Sequence, residues 1–433
     1  MAIATVAALI LVLPDLGSSS PATTQPPRSR AALELLTTTG SPRREAGRVA
    51  PLNATSPPGL RVMPDALSTP NIIKSNKYPV EEHTVVTEDD YVITIFRIPH
   101  ADRPAVYLQH GLMCSSTEFV ISGRNRALAF LLHDAGYDVW LGNFRGNRYS
   151  RKHKRMTTSD KAFWEYSWHE IGFYDVTAMI DYILNNTRRE SLVFVGHSEG
   201  TTALLAAASL RPEYNGKVSM FIALAPVAFF NNVNTILMRF MIAMEPLMEL
   251  GANILGQYDI KPHPPLIRFV TDHMCNKKLV GRWVCTNVVF RAIGFNGQQV
   301  DKEQILTILK TMPAGCAFRE LSHYSQVFYS GKFQQFDHGS RKNKEKYGQD
   351  QPPEYPLDNV SLPVYVYYTE NDVFTSTEDV KTLRDRLPNV KKYKRIFHDS
   401  FNHMDFTYAR DARKLLYDDI LRDIEEATKE GKA

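Results

Sequence analysis

The stretch SLVFVGHSEGTTALLAAASL, residues 191–210, carries the strongest structural signal in the chain. Its first five residues form an apolar run typical of a buried β-strand, and an Ala- and Leu-rich run typical of an α-helix begins after Gly200. Between them lies a G-x-S-x-G pattern, Gly196 to Gly200, at a strand-to-helix turn. Such a turn places Ser198 at a helix amino terminus, where free N–H groups favour developing negative charge. The pattern predicts a nucleophilic serine; the alternative is a Gly-rich turn in which Ser198 only caps the helix.

Strands and helices alternate on both sides of this turn. The β-rich runs 83–86 and 91–97 flank a polar TEDD cluster and predict an antiparallel hairpin. Further β runs lie at 105–109, 138–141, 218–224 and 363–368, and residues 163–184 carry apolar side chains at helical spacing. This order predicts the α/β fold class, with a mostly parallel central sheet and helices on both faces.

The residues between 224 and 363 do not keep this alternation. They contain a helically spaced methionine stripe, Met238, Met241, Met244 and Met248, and a KPHPP break at 261–265. So long an insertion within one sheet predicts a helical cap at 228–345, between core segments 59–227 and 346–433. The stripe fits either packing inside that cap or contact with a substrate.

The first 58 residues are typical of targeting and linker sequence. An apolar run at 2–13 matches a signal-peptide core and is shorter than the ~20 residues that cross a bilayer, which predicts a signal peptide at 1–20. No Lys or Arg precedes the run, so a buried hydrophobic arm is the alternative. Residues 21–58 are rich in Pro, Ser, Thr and Arg and predict a disordered or pro-segment.

A signal peptide predicts secretion, to the extracellular space or a gut lumen, with the lysosome as the alternative. No other window is apolar enough to span a membrane once the signal is removed. In a secreted chain the sequons at Asn53, Asn185 and Asn359 are candidate glycosylation sites.

Composition and motifs exclude several classes of protein. Lys and Arg number 51 against 47 Asp and Glu, and this net charge of +4 is too thinly spread to bind a phosphate backbone, which argues against nucleic acid as a partner. Four cysteines in 433 residues exclude a small disulfide scaffold. The chain contains no HExxH, CxxC or P-loop pattern, so we expect no metal and no other cofactor.

A serine nucleophile requires a base, and the base requires an acid that orients it. On this architecture both follow the serine in the chain, with the acid first. Asp372 comes soon after the β run 363–368, at the carboxyl end of a strand, where parallel sheets bind their ligands. Asp372 is therefore the preferred acid, and Glu370 and Asp379 are its rivals.

The base is expected after the last β run, which is predicted at 394–397. His403 lies in a loop beyond that run, whereas His398 abuts it, so His403 is preferred on placement. The oxyanion hole is expected to use the backbone N–H of Glu199, the residue after the nucleophile. Its second donor is expected to be the N–H of Leu112 in the HGL loop, residues 110–112, which follows the β run 105–109.

At these residues the chain resembles the acid lipase family of α/β-hydrolases, which includes gastric, lysosomal and insect digestive lipases. The resemblance covers about residues 73–421 and is carried by blocks such as HGL, NFRGNRYSRKH, FWEYSWHEIGFYDVTAMIDYIL, GHSEGTT, PAGCAFRELSHYSQ, ENDVF and FNHMDF. It implies the α/β-hydrolase fold with a lid-bearing cap, and its catalytic positions fall on Ser198, Asp372 and His403. It also implies a disulfide between Cys275 and Cys285 in the cap, which secretion would permit.

The resemblance implies a lipase that hydrolyses carboxylic esters of neutral lipids, triacylglycerols or steryl esters, through an acyl-enzyme at a lipid–water interface. A carboxylesterase for soluble short-chain esters is the alternative within enzymes. A catalytically silent lipid-binding or storage protein on the same scaffold is the alternative from another class.

One departure from the family pattern lies next to the expected nucleophile. Glu199 stands where the family often has Gln, although its backbone N–H can serve the oxyanion whatever its side chain is. The helix amino terminus favours an ionised Glu199, whereas burial would favour the protonated form. If burial prevails, we expect part of the activity to fall as the pH rises.

Overall fold

Residues 191–210 form the turn from a central strand into a helix, as the sequence predicts. The computed structural model describes residues 65–233, 236–263, 294, 298–300 and 302–429. Several predictions concern residues outside these ranges and remain predictions: the signal peptide 1–20, the segment 21–58, Asn53, and the Cys275–Cys285 pair. All described residues belong to one compact unit.

The central sheet has nine strands within the described residues. They are β1 (Glu81–Val86), β2 (Tyr91–Ile98), β3 (Ala105–Gln109), β4 (Asp138–Leu141), β5 (Lys152–His153), β6 (Leu192–His197), β7 (Val218–Leu224), β10 (Val364–Tyr368) and β11 (Val390–Arg395). Their spatial order is β1-β2-β4-β3-β6-β7-β10-β11, and β5 pairs with β2. The first two pairings are antiparallel and those from β4 to β11 are parallel, which confirms the predicted hairpin and the mostly parallel sheet.

Twelve α-helical segments are assigned in the described residues. They are α1 (Thr69–Ser75), α2 (Leu128–Asp134), α3 (Trp168–Glu170), α4 (Thr177–Thr187), α5 (Glu199–Leu210), α6 (Ile236–Leu255), α7 (Lys302–Leu309), α8 (Phe318–Ser330), α9 (Ser340–Tyr347), α10 (Thr377–Arg386), α11 (Asp405–Tyr408) and α12 (Asp418–Lys429). A π-helical stretch, Ile171–Val176, joins α3 to α4. In the described part of the chain, none of the helices combines the length and apolar character needed to cross a bilayer.

Apolar side chains are buried on both faces of the sheet. In β6, Phe194 belongs to one apolar cluster, whereas Val193 and Val195 belong to the other. The same alternation holds in β3, where Tyr107 faces the first cluster and Val106 the second. Successive side chains of a strand point to opposite faces, so a continuous apolar run indicates a strand covered on both sides.

Two elements begin elsewhere than the sequence predicts. The last strand is β11, residues 390–395, and not 394–397. Its VKKYKR sequence is too polar to be recognised as a strand. Lysines on an edge strand point to solvent or pair with acids. Lys392 Nζ, for example, lies 2.6 Å from an Asp423 carboxylate oxygen. The helix predicted from 163 begins at Trp168, because Ser167 and Glu170 form a capping box there.

The chain between β7 and β10 adds no strand to the central sheet within the described residues. It contains helices α6 to α9 and a two-stranded ribbon of β8 (Asp259–Ile260) and β9 (Cys316–Ala317). The four methionines of the stripe lie in α6. The cap boundaries at 228 and 345 remain predictions.

Two cysteines and two sequons fall among the described residues. Cys114 and Cys316 are buried free thiols. Asn185 and Asn359 are exposed, and the Asn359 amide also donates to the Ser209 carbonyl at 3.0 Å. Glycosylation at these two positions remains a prediction.

The turn after β6 is so tightly packed that it accepts only glycine on both sides of the serine. A Cβ atom on Gly200 would lie 2.4 Å from the carbonyl oxygen of Gln109, in β3. A Cβ atom on Gly196 would lie 2.9 Å from the Gly200 carbonyl oxygen. Both distances are below any normal carbon–oxygen contact. The start of α5 therefore lies directly against the ends of β3 and β6.

We predict that Gly200→Ala lowers the free energy of unfolding by about 2 kcal/mol, because the added methyl group collides with backbone that has no room to move. Gly216→Ala is the matched control, since no atom lies within 4 Å of the position its Cβ would take. Urea unfolding of both variants and the parent measures the difference. Equal losses in the two variants would contradict this account of the turn.

Candidate active site

Ser198 is held in strained backbone geometry at the turn between β6 and α5. Its φ angle is 53° and its ψ angle −118°, in the left-handed half of conformational space that residues with a side chain rarely adopt. Its backbone N–H donates to the Leu224 carbonyl at the end of β7, at 3.0 Å. This bond fixes the turn to the neighbouring strand, and the Ser198 residue is half-buried.

His403 and Asp372 are hydrogen-bonded to each other. His403 Nδ1 lies 2.8 Å from Asp372 Oδ2 and 3.0 Å from Oδ1. Their side chains are 4% and 0% exposed, so water does not compete for this bond. The carboxylate holds the proton on Nδ1, which leaves Nε2 of a neutral His403 able to accept a proton.

The loops that carry this pair are cross-linked to each other. The Asn402 amide oxygen accepts from the backbone N–H groups of His403, at 2.7 Å, and of Val373, at 3.2 Å. The Thr369 hydroxyl donates to the Phe401 carbonyl at 3.0 Å. Asp372 Oδ1 also accepts from two backbone N–H groups of its own loop. The separation of the acid and the histidine is therefore set by backbone contacts.

The rival residues have other partners. Asp379 accepts from both the backbone and the side-chain amide of Asn232, at 3.1 and 2.7 Å. Glu370 pairs with Arg395 at 2.6 Å. A side-chain nitrogen of Gln299 lies 3.0 Å from Nε2 of His398, which lies three residues beyond the end of β11.

The HGL loop lies against the serine. A Cβ atom on Gly111 would lie 3.0 Å from Ser198 Cβ, and Leu112 is half-buried beside it. His110 holds the loop: its Nε2 accepts from the Phe144 N–H at 3.1 Å, and its Nδ1 lies 2.8 Å from the Gly111 carbonyl oxygen. Burial lowers the pKa of His110 to about 4, so it stays neutral, with its proton on Nδ1. Glu199 supplies the first N–H of α5, which has no partner within the helix.

Two buried residues near the serine, His197 and Glu118, were not predicted from the sequence. His197 Nε2 lies 3.2 Å from the His403 carbonyl oxygen, and the two imidazole rings are 5.1 Å apart. On its other side, His197 Nδ1 lies 3.4 Å from the Glu118 carboxylate, and both side chains are at most 1% exposed. His197 therefore connects β6 to the loop of His403. A histidine inside an apolar strand run, next to the serine, was the signal that could have revealed it.

The described residues contain no group of three or more His, Cys, Asp or Glu side chains that could hold a metal ion. The chemistry that this site can support comes from side chains and backbone: a strained serine, a histidine oriented by a buried carboxylate, and N–H groups at a helix amino terminus.

The sheet order, the strained serine turn and the paired acid and histidine on the loops after β10 and β11 define an α/β-hydrolase. Residues 104–249 match the family profile described as alpha/beta hydrolase fold, and residues 69–123 match the one described as partial alpha/beta-hydrolase lipase region. A solved structure from Sulfolobus solfataricus has the same fold at a TM-score of 0.53 and 13% identity, covering 80% of this chain and 94% of that one.

Relatives of higher identity identify the family. The chain is 38% identical to Lipase 3 of Drosophila melanogaster, over 82% of this chain and 91% of that protein. It is 36% identical to human gastric triacylglycerol lipase, over 81% and 89%, and 35% identical to human Lipase member K, over 85% and 93%. The chain belongs to the acid lipase family of α/β-hydrolases, and it is a carboxylic ester hydrolase.

We predict that His197 and Glu118 stabilise the fold as a coupled pair. His197→Phe and Glu118→Leu should each lower the free energy of unfolding by about 2–3 kcal/mol, because each removes one side of a buried 3.4 Å contact and leaves the other polar group buried without it. The double variant should cost at least about 1 kcal/mol less than the sum of the two. Urea unfolding of the four proteins measures this coupling, and strictly additive losses would show that the two side chains do not interact.

Proposed function

We propose that this protein is a serine lipase in which Ser198, His403 and Asp372 form the catalytic triad. The observation that carries the proposal is the buried hydrogen bond between His403 and Asp372; His197, next to the serine, contacts the carbonyl of that same His403. The strained φ angle of Ser198 supports it, because strain of this kind is typical of a nucleophile held at the top of a sheet.

In the proposed reaction, the Ser198 hydroxyl attacks the ester carbonyl carbon and its proton passes to His403 Nε2. The tetrahedral intermediate collapses with loss of the alcohol, which takes that proton from His403, and the acyl group remains on Ser198. Water then attacks the acyl-enzyme by the same route, releases the carboxylic acid and restores the serine. Asp372 keeps the imidazole in the required tautomer and stabilises its cationic form.

The oxyanion is held by the backbone N–H groups of Leu112 and Glu199. Glu199 comes directly after the serine, and Leu112 comes directly after Gly111, whose added Cβ would lie 3.0 Å from Ser198 Cβ. Each donor removed from such a site typically costs about 10²–10³ in rate. His110 contributes by fixing the HGL loop through the Gly111 carbonyl and the Phe144 N–H.

The substrate is a neutral lipid ester, a triacylglycerol or a steryl ester, bound at a lipid–water interface. The names of the relatives support this, since one acts on triacylglycerol by its name. Four exposed apolar side chains along α6 support it as well: Leu247, Leu250, Ile254 and Leu255 are 51–72% exposed. Exposed apolar surface of this kind is typical of a face that meets lipid or protein. The predicted signal peptide accords with secretion of such an enzyme.

We predict that Asp372→Asn lowers kcat by about 10⁴-fold, because the amide no longer holds the reactive tautomer of His403. Asp379→Asn is the matched control and should change kcat by less than about tenfold, since Asp379 binds Asn232. Ester hydrolysis by the purified variants, with circular dichroism as the folding check, measures both. If Asp379→Asn costs more than Asp372→Asn, then Asp379 is the acid.

The serine is tested in the same set of variants. Ser198→Ala and His403→Ala should each remove nearly all turnover, and the double variant should be no worse than either, because the two residues act as one unit. A fluorophosphonate probe should label the parent at Ser198 and leave Ser198→Ala unlabelled. A folded parent that resists the probe would indicate a catalytically silent lipid-binding protein.

We predict that the protein hydrolyses emulsified long-chain triacylglycerol or steryl ester faster than a soluble short-chain ester at equal ester concentration. The apolar face of α6 would bring the enzyme to the interface. Replacing Leu250 and Ile254, two of these exposed residues, by Gln should reduce hydrolysis of the emulsion and leave hydrolysis of the soluble ester nearly unchanged. A clear preference of the parent for the soluble ester would favour a carboxylesterase.

A further inference from the structure

A second carboxyl group lies against Glu199. It belongs to Glu320 in the first turn of α8, and the two carboxyl groups lie close enough to interact directly. Glu199 is 1% exposed and Glu320 is 2% exposed. Glu320 Oε1 also accepts from the Ala317 N–H at 2.6 Å, so its position is fixed by the start of its own helix. A buried pair of carboxyl groups therefore joins α5 to α8 next to the nucleophile.

A second contact between α5 and α8 lies one helical turn further along from the two glutamates. Thr202, three residues after Glu199, lies with its hydroxyl 3.1 Å from the Tyr324 hydroxyl, and Tyr324 comes four residues after Glu320. Residues three and four apart share one face of a helix, so the first turns of α5 and α8 face each other along this line. The Tyr324 side chain also lies near the Glu199 carboxyl.

The pair can be buried only if it keeps a proton. Two ionised carboxylates in contact repel strongly in a medium of low dielectric constant. Glu199 Oε1 is buried and has no hydrogen-bond donor within the described residues. A proton held between the two carboxyl groups would supply the missing hydrogen bond. The titratable groups that face the pair are Tyr324 of α8, Cys316 of β9, Cys114 after the HGL loop, Tyr166 and Asp175, and none of these five is a cation.

We propose that Glu199 and Glu320 share one proton, and that this proton holds the first turn of α8 against the residue whose N–H binds the oxyanion. Glu320 is then a positioning residue of the active site, since it acts through Glu199 and touches no reacting atom. The proposal rests on the proposed function for its effect on turnover, but the shared proton itself does not depend on it.

Loss of the proton gives the site a defined response to pH. Burial raises the pKa of Glu199 from its ordinary 4.5 to about 8, and burial together with Glu199 raises that of Glu320 well above 4.5. The folded protein thus binds more protons than the unfolded chain between pH 4.5 and 8. Stability is fully present below pH 4.5 and is lost as the pH rises through that window. Above it, repulsion separates the two helices and moves the Glu199 N–H.

The experiment compares the parent with Glu199→Gln and Glu320→Gln between pH 5 and 9. In either variant an amide N–H replaces the shared proton at every pH. We expect kcat of the parent to fall by about tenfold from its plateau by pH 9, with a smaller change in KM, because one proton lost at about pH 8 removes the active form. Normalised kcat profiles of both variants should lack this fall. Glu345→Gln, on the exposed side of α9, removes the same charge and should keep the profile of the parent.

Two readouts do not require turnover. The Tm of the parent should fall more steeply between pH 5 and 8 than the Tm of either variant. In infrared spectra, the parent should lose more protonated-carboxyl absorbance between pH 6 and pH 9 than either variant, because the buried Asp175, whose pKa burial raises to about 6, is present in all three. Parallel Tm curves and an equal loss of absorbance in all three proteins would overturn the shared proton. A shared proton without any alkaline fall in kcat would overturn the positioning role, and an inactive parent with the larger loss of absorbance would count against the proposed function instead.

Discussion

The close approach of three backbone segments at the serine turn is the constraint on which the rest of the site depends. β6 turns into α5 within van der Waals contact of the end of β3, and the contact leaves no room for a side chain at Gly196 or Gly200. The serine takes the strain of this turn in its own φ angle. Because α5 begins where β3 ends, the helix amino terminus and the HGL loop meet at one point, and both candidate oxyanion donors follow from that packing.

The polar groups of the site are fixed mainly by backbone partners. Asp372 accepts from backbone N–H groups, Asn402 bridges the acid and histidine loops through two more, and His197 reaches the His403 carbonyl. Such contacts reduce the cost of burying polar side chains, and they restrict the geometry to narrow limits. The loops after β10 and β11, which carry the acid and the histidine, are hydrogen-bonded to each other at the end of this sheet.

The fold could be predicted largely from sequence because its apolar runs have strand length and lie between helical patterns. β6, β7 and β10 are apolar enough to be recognised, whereas the bounds predicted for β11 are wrong because three of its six residues are lysines, which are typical of solvent-facing chain. At the site, residues within a local motif could be chosen from spacing alone. Glu320 could not, since its importance depends on a contact with a residue 121 positions away in the chain. Two carboxyl groups that meet only in the folded protein leave no pattern in either segment.

The two buried thiols carry a consequence for how the protein matures. Cys114 and Cys316 have no disulfide partner, and burial raises the pKa of both well above the ordinary value for a thiol. A thiol that stays protonated and shielded reacts slowly with oxidants and disulfides, so these two thiols are inert in the folded protein even in an oxidising compartment. The unfolded chain has no such shield, and there the same two thiols compete with any other cysteines for pairing partners. If the chain is exported before it folds, the rate at which its core forms therefore determines whether Cys114 and Cys316 remain thiols or enter non-native disulfides.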